Sequence, residues 1–535
     1  MKNNLLLILF TVVTALYGCK SHKQSGKNIF RYNETTGIAT LDPAFARNQS
    51  IMWAVHQLYN TLTEVDDSLG IKPMLAKSWD YSDGQKTLVF HLRTDVYFHN
   101  DPVFENAKGR RLTAYDVQYS FERLMNPATA SPGAWIFNNR VAALQPFTAV
   151  NDSTFILKLA KPFPPILGIL SMQYCSIVAK EAVEHYGSAF RRHPVGTGPF
   201  QFVAWDEGQA LILKKNNHYF EIDVDGNALP YLDGIKISFL DSKASEFMEF
   251  RQKRLDFIND IEASFKDEVI TKTGNLKEQW KGKIVLQKHP YLNVEYLGIL
   301  MDSSNSLMYT SALRFKKVRQ AINYSINRPK MMLYMRNSIG TAAQNGFVPP
   351  GLPFESSNKV RGYSYNPDTA KTLLKEADYK GEKIVLHTIP IYSSIAGFIA
   401  NELQQNGINV VVETVQKSLL FDLTAKGRSA FFRASWIADY PDAENFLSVF
   451  YGKNPAPPNY TRYKNPKFDA LYENAMQQTD DKKRYALYRE MDQLVMDDAP
   501  VVPLWYDMAL HLVQPGVKNF FPNSLNMLEL RKVKK

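Results

Sequence analysis

Cysteine is almost missing from this chain: Cys19 and Cys175 are the only two in 535 residues, so no disulfide framework supports the fold. Histidine is sparse and dispersed. None of the ten falls in His-x-x-x-His or His-Glu-x-x-His spacing, and there is no Cys-x-x-Cys pair to make a metal site. His91 and His99 flank what reads as a strand and its following turn, and the spacing gives them no metal role. A Gly-x-Ser-x-Gly elbow is absent, and neither cysteine suits a nucleophile. The adjacent carboxylates Asp66-Asp67 and Asp497-Asp498 sit in polar surroundings and read as solvated. Nothing here supports an enzyme or a resident cofactor. Basic residues outnumber acidic ones, 63 to 53, but they are interspersed, with no basic run beyond 531–535. That pattern reads as a solvated surface, without the clustered footprint of a nucleic-acid partner.

Long apolar runs are also lacking. The longest clear one, 5–16, is well short of the roughly 20 residues that span a bilayer. It follows Lys2 and leads into Leu16-Tyr17-Gly18-Cys19, which resembles the lipobox of bacterial lipoproteins. Residues 1–18 are then a signal peptide, Cys19 the lipidated first residue of the mature chain, and 19–27 a polar, basic tether. Several acyl chains on Cys19 would make anchoring stable, where one alone is marginal. An ordinary secretory signal ending near a cysteine is the alternative. Cys175 reads as a buried, inert thiol.

What remains is globular in composition, with 45% hydrophobic, 22% charged and 13% aromatic residues, and long enough for two or three domains. Helical spacing puts Val55, Leu58, Tyr59 and Leu62 on one side of 51–62. Strict alternation over 87–93 predicts a half-buried antiparallel strand. Thr113 and Asp116 form a capping-box variant before a helix carrying Val117, Phe121 and Leu124 inward. Gly196-Thr197-Gly198 lacks the Lys-Ser/Thr of a phosphate cradle and reads as a tight structural turn. Asn366-Pro367 starts a helix, and 384–386, 395–405 and 408–412 follow a β-α-β pattern that predicts an α/β lobe. Two helices, 466–476 and 480–496, carry core stripes, and 501–505 is strand-like.

The segment 433–445 combines opposite charges with a strand pattern. Period-two geometry places Arg433, Ser435, Ile437 and Asp439 on one face, with Ala434, Trp436 and Ala438 turned towards a core. A cation and an anion six residues apart, roughly 20 Å if extended, could grip a zwitterion such as a free peptide. They could equally be an internal ion-pair partner and a turn residue before Tyr440-Pro441.

Ordered blocks along the chain carry a resemblance. They are Leu41-Asp42-Pro43; Leu75-Ala76-Lys77-Ser78-Trp79; Phe90-His91-Leu92-Arg93; Thr113-Ala114-Tyr115-Asp116-Val117; 194–200; 315–323; and 365–368 with Ala370-Lys371, Leu373 and Leu374. Together they are similar to the extracellular solute-binding proteins of family 5, the oligopeptide- and dipeptide-binding components of ABC importers. That resemblance implies an α/β, periplasmic-binding-protein-like fold of two lobes (type II, cluster C) with an extra α+β subdomain in the first lobe. The expected boundaries are 28–290 for lobe I, with the subdomain at about 65–190, then 291–497 for lobe II and 498–535 returning to lobe I. Hinge closure around a ligand is the implied motion.

The same resemblance assigns Asp439 to the ligand's α-ammonium, Arg433 towards its carboxyl end, and the backbone at Ser435 and Ile437 to the ligand's main chain. Asn48 and Gln49 fall where the first lobe presents backbone to the peptide. Arg47 departs from the oligopeptide type, which can carry an acidic residue there that assists the ammonium. Trp436 is among the candidate ligand contacts, although alternation alone turns it towards the core, and Trp135 and Tyr506 are candidates to line side-chain pockets. The implied function is a monomeric, lipid-anchored binding protein of the bacterial envelope, facing the periplasm or exterior. It would deliver tri- to pentapeptides to a permease, without cofactor or metal. A nickel, metal-chelate or oligosaccharide ligand is the alternative within the family, and a secreted hydrolase the alternative outside it.

Overall fold

The computed structural model describes residues 28–261, 263–354 and 360–535. The expected signal segment, Cys19 and the tether lie outside the described residues. A four-stranded sheet opens the first lobe, in the order Ile29–Asn33, Gly234–Ser238, Ala210–Lys215, Phe200–Asp206, with the first pair parallel and the others antiparallel. Its strands alternate because one face packs on a core of Phe30, Tyr32, Trp53, Phe257 and Phe520. The helix Gln49–Leu58 lies on that core, with Trp53, Val55 and Leu58 buried.

An antiparallel sheet ordered Ala76–Ser82, Thr87–Leu92, Thr154–Lys158, Phe147–Asn151 forms the extra subdomain. Leu88, Phe90 and Leu92 point inward at period two, and Phe121 of the helix Ala114–Met125 meets Phe155 edge-on with ring centroids 5.6 Å apart. That helix starts as its sequence requires: the Asp116 carboxylate accepts from the Thr113 amide at 2.8 Å and the Thr113 hydroxyl at 3.0 Å. The Gly196-Thr197-Gly198 turn also has a packing cause. A Cβ on Gly196 would overlap the Leu58 carbonyl oxygen, and one on Gly198 the Leu58 carbonyl carbon. Only glycine lets this loop close against the end of the helix Gln49–Leu58, where the Gly198 amide donates to the Leu58 oxygen at 3.0 Å.

The largest sheet has seven strands, in the order Phe257–Asn259, Val501–Val513, Val285–Ile299, Phe431–Ile437, Ile384–Thr388, Val410–Thr414, with Thr341–Ala342 paired to Val501–Val513. Ile384–Thr388 and Val410–Thr414 run parallel, joined by the helix Ser393–Gln405, so the β-α-β pattern is present. The helices Pro466–Gln477 and Asp481–Asp498 bury Phe468, Ala475, Met491 and Val495 in the second lobe.

Two long strands cross between the lobes. Residues 294–298 of Val285–Ile299 pair with 501–506, and 285–290 pair with 508–513, with a register break between Pro290 and Val294. Val502, Leu504 and Trp505 sit in a second-lobe core, whereas Val513 sits in the first. The return to lobe I therefore happens midway along Val501–Val513, several residues beyond the expected 498. The expected 290/291 boundary falls inside a strand, at its register break. Asp498 also differs from expectation: it bonds Lys316 at 3.1 Å and the Tyr463 hydroxyl at 2.7 Å, half-buried, because it closes the C-terminal end of a long helix onto its neighbours.

Candidate functional site

A cavity of about 480 Å³ lies between the lobes, a size usual for small-ligand sites. The first lobe supplies 46–49, Met52, His56, Trp135, Met172 and Tyr174. The C-terminal segment adds Leu525, Met527 and Lys532; the crossing strand adds Tyr291; and the second lobe contributes Ile437, Ala438 and Asp439. Five residues singled out from the sequence thus meet at one place: Asn48, Gln49, Trp135, Ile437 and Asp439.

Each arrives there for a local reason. Asn48 caps the helix Gln49–Leu58, its Oδ1 accepting from the Ile51 amide at 3.1 Å. Its side chain is therefore committed to the helix, leaving mainly backbone for the cavity. The Gln49 Oε1 accepts from Asn259 at 3.4 Å. Ile437 ends the strand Phe431–Ile437 and is 47% exposed, so an apolar side chain faces the cavity rather than a core.

Asp439 lies two residues beyond the strand end, held by Asn445. The Asp439 amide donates to Asn445 Oδ1 at 3.2 Å, and Asn445 Nδ2 donates to Asp439 Oδ2 at 3.2 Å. Trp436 Nε1 donates to the same Asn445 oxygen at 2.9 Å. The next residue, Tyr440, is buried in the first-lobe core and bonds Glu444. The carboxylate is thus fixed on both sides, yet among the described residues it pairs with no cation. Enclosure by protein raises its pKa, against the lowering effect of the Asn445 amide. Asn445 is a residue that sequence reasoning passed over, although it closed the segment singled out. Its signal was an Asn after a Pro-containing turn, and only the fold shows that it turns back six residues.

The other sequence candidates do not line this cavity. Arg433 lies in the strand interior, where its Nη2 donates to both oxygens of buried Glu295, to Oε1 at 2.6 Å, and its guanidinium stacks 3.8 Å from the Tyr392 ring. Cross-strand pairing of Ser435 with Glu295 explains why this carboxylate reaches Arg433 first. The structure therefore shows an internal ion pair at Arg433, off the cavity wall. Trp436, a candidate ligand contact, instead packs against the second-lobe core because it faces away from the cavity, and its Nε1 bonds the Asn445 that holds Asp439. Ser435 sits in the paired strand, off the cavity wall. Tyr506 is buried, its hydroxyl donating to the Gly346 carbonyl at 2.6 Å; it is a core residue because Val501–Val513 has not yet left the second lobe at that point.

The strand has a further property. One side pairs with Val285–Ile299 along its full length, but the other meets Ile384–Thr388 only at Phe431 and Phe432. Past Phe432 that edge has no paired strand among the described residues, which leaves backbone groups able to meet an extended chain.

His56, Glu64 and Glu529 bring ligand-type atoms within 4.8 Å of one another on the cavity wall. A cation already occupies that position. The Arg531 guanidinium bonds Glu64 and reaches Glu529 at 2.9 Å, and Lys72 lies 3.7 Å from Glu64. His91 instead pairs with Asp80 at 3.0 Å, and His99 places its Nε2 2.9 Å from the Gly198 oxygen.

Two α/β lobes joined by crossing strands, with a cavity between them and a separate antiparallel subdomain on the first, define a two-lobed binding protein. Comparison with known proteins then places it. The profile described as "Bacterial extracellular solute-binding proteins, family 5 Middle" matches residues 70–458, and the chain belongs to this family. Heme-binding protein A of Haemophilus influenzae is 26% identical over 522 residues, covering 93% of this chain and 90% of that protein. The dipeptide-binding protein of Escherichia coli is 26% identical over 496 residues, covering 88% and 87%. Among solved structures, the ABC transporter-associated periplasmic binding protein DppA from Helicobacter pylori, in complex with peptide STSA, superposes with a TM-score of 0.76 at 26% identity, covering 96% of this chain and 99% of that one.

Proposed function

We propose that this protein captures short peptides in the interlobe cavity and delivers them to an ABC permease. The observation that carries this reading is Asp439, a carboxylate fixed on the cavity wall with no cationic partner among the described residues. A peptide's α-ammonium supplies the missing charge. The Ile437 backbone and the free strand edge then meet the peptide main chain from one lobe, and 47–49 from the other. Arg433 has no direct role in this arrangement. A cavity of about 480 Å³ suits short peptides, and tri- to pentapeptides are the proposed range. The two relatives named for dipeptide binding and for a bound tetrapeptide support the ligand class.

The protein acts as a monomer, without catalysis or cofactor, and is held to the envelope by lipid on Cys19. Calorimetry with a mixed pool of tri- to pentapeptides, repeated after N-acetylation, tests the ligand. Acetylation removes the ammonium and should abolish most of the binding heat; equal binding of both forms would refute the anchor. Heat with nickel or oligosaccharide, but none with peptide, would replace the reading. For the anchor, Cys19→Ser should release the protein into soluble fractions, and continued membrane attachment would refute lipidation.

A further inference from the structure

Besides Asp439, the cavity wall carries Asp67, Lys532 and Arg47 without a bonded partner among the described residues, and of these Arg47 shares a neighbour, Tyr174, with Asp439. Arg47 precedes the cap of the helix Gln49–Leu58, is exposed, and lines the same cavity as Asp439 from the opposite lobe. Among the described residues its guanidinium has no hydrogen-bonded or ionic partner. The cavity's carboxylates do not supply one: Glu64 and Glu529 are taken by Arg531, Asp66 accepts from the Ser68 and Gly70 amides at 2.8 Å, and Asp67, also on the wall, makes no bond to Arg47. Arg47 and Asp439 are both near Tyr174, whose hydroxyl burial pushes up, with Asp439 raising it further and Arg47 pulling it down. A cation and an anion therefore face one small cavity near a common side chain, without being bonded to each other.

A ligand that offered only an ammonium would satisfy Asp439 and leave Arg47 facing a like charge as water is expelled. A ligand with a carboxylate beside its amine satisfies both, and guanidinium fits carboxylate in a planar fork. We propose that the cavity selects peptides whose first residue carries a carboxylate within reach of the free α-amine, an N-terminal Asp or Glu or a γ-linked glutamate, with Arg47 as the residue that determines this specificity. This inference rests on the peptide reading above and deepens it.

The test is calorimetry of the protein with Glu-Ala-Ala, Gln-Ala-Ala and Lys-Ala-Ala, for the natural sequence and for Arg47→Gln and Arg47→Glu. Glu-Ala-Ala should bind about tenfold or more tighter than its neutral isostere, the range of a charge-assisted bond. Arg47→Gln should bring that ratio near one with unchanged thermal unfolding, and Arg47→Glu should favour Lys-Ala-Ala. Equal binding of the Glu and Gln peptides by the natural sequence would overturn the inference while leaving the peptide reading intact. A uniform loss for all three peptides in Arg47→Gln would also overturn it, since Arg47 would then be pairing with Asp439 on closure rather than reading the ligand. Binding of none of the three, with or without N-acetylation, would overturn the peptide reading and this inference together.

Discussion

Two charged residues six positions apart on one strand segment end in opposite roles, and neighbours decide which. Arg433 has Glu295 directly within reach; Asp439 has only the Asn445 amide. Removing one partner of a buried ion pair costs about 3–5 kcal/mol, because the other charge is stranded. Arg433→Ala should therefore lower unfolding stability by that order, measured by urea denaturation, with any loss of peptide affinity independent of peptide length. Asp439→Asn should behave in the reverse way. Its side chain is exposed to the cavity and pairs with no cation among the described residues, so the variant should be about as stable as the natural protein. Peptide affinity should fall about 10- to 100-fold with the loss of a charge-assisted bond. The pH dependence follows from the raised pKa. The ammonium needs the ionised carboxylate, so affinity should drop as pH falls through the raised value of the empty site, and Asp439→Asn should lose that dependence. Asp492 gives a matching stability effect. It is fully buried, accepts from the Phe347 amide at 2.7 Å, and is pushed up to about 7. A group whose folded pKa is raised binds more protons folded than unfolded, so its contribution is lost as pH rises from about 4 to about 7. Asp442 and Glu34, raised to about 6 and about 8, add declines of their own, so comparing urea midpoints of the natural protein and Asp492→Asn across that range should show a steeper decline in the former.

At the scale of elements, the helix Gln49–Leu58 links the core to the cavity: its start presents 47–49 to the ligand, and its end is clamped by Gly196 and Gly198. A methyl at Gly198 forces backbone apart, and overpacking of this kind costs about 1–3 kcal/mol. Gly198→Ala should lower the thermal midpoint and, by shifting the helix, weaken peptide binding, although it lies outside the cavity lining. Unchanged affinity with reduced stability would show that the clamp does not position the site. The glycine block was visible in the sequence as a turn, but its partner, Leu58, is about 140 positions earlier and carries no sequence mark.

For the whole molecule, the crossing of Val285–Ile299 and Val501–Val513 sets the motion. Both strands pass between lobes and break register twice within a few residues, between Pro290 and Val294 and between Glu295 and Tyr296, which favours bending there over shear. Small-angle scattering should show a decrease in radius of gyration on adding free peptide and none on adding its N-acetylated form. The boundaries at 290 and 498 are what the family resemblance implies. The fold instead divides each strand in its middle, where side chains change from one core to the other.

The chain by itself determined the α/β class, the subdomain strands and helix, the glycine turn and the cavity segment around Asp439. Each of these depends on local periodicity, caps or short motifs that act between near neighbours. Tertiary structure decided what those residues face. It sent Arg433 to Glu295 and Tyr506 to a core, tied Asn445 back to Asp439, and set Arg47 across the cavity. A side chain's role depends on the charge and space opposite it, and those come from segments hundreds of residues away.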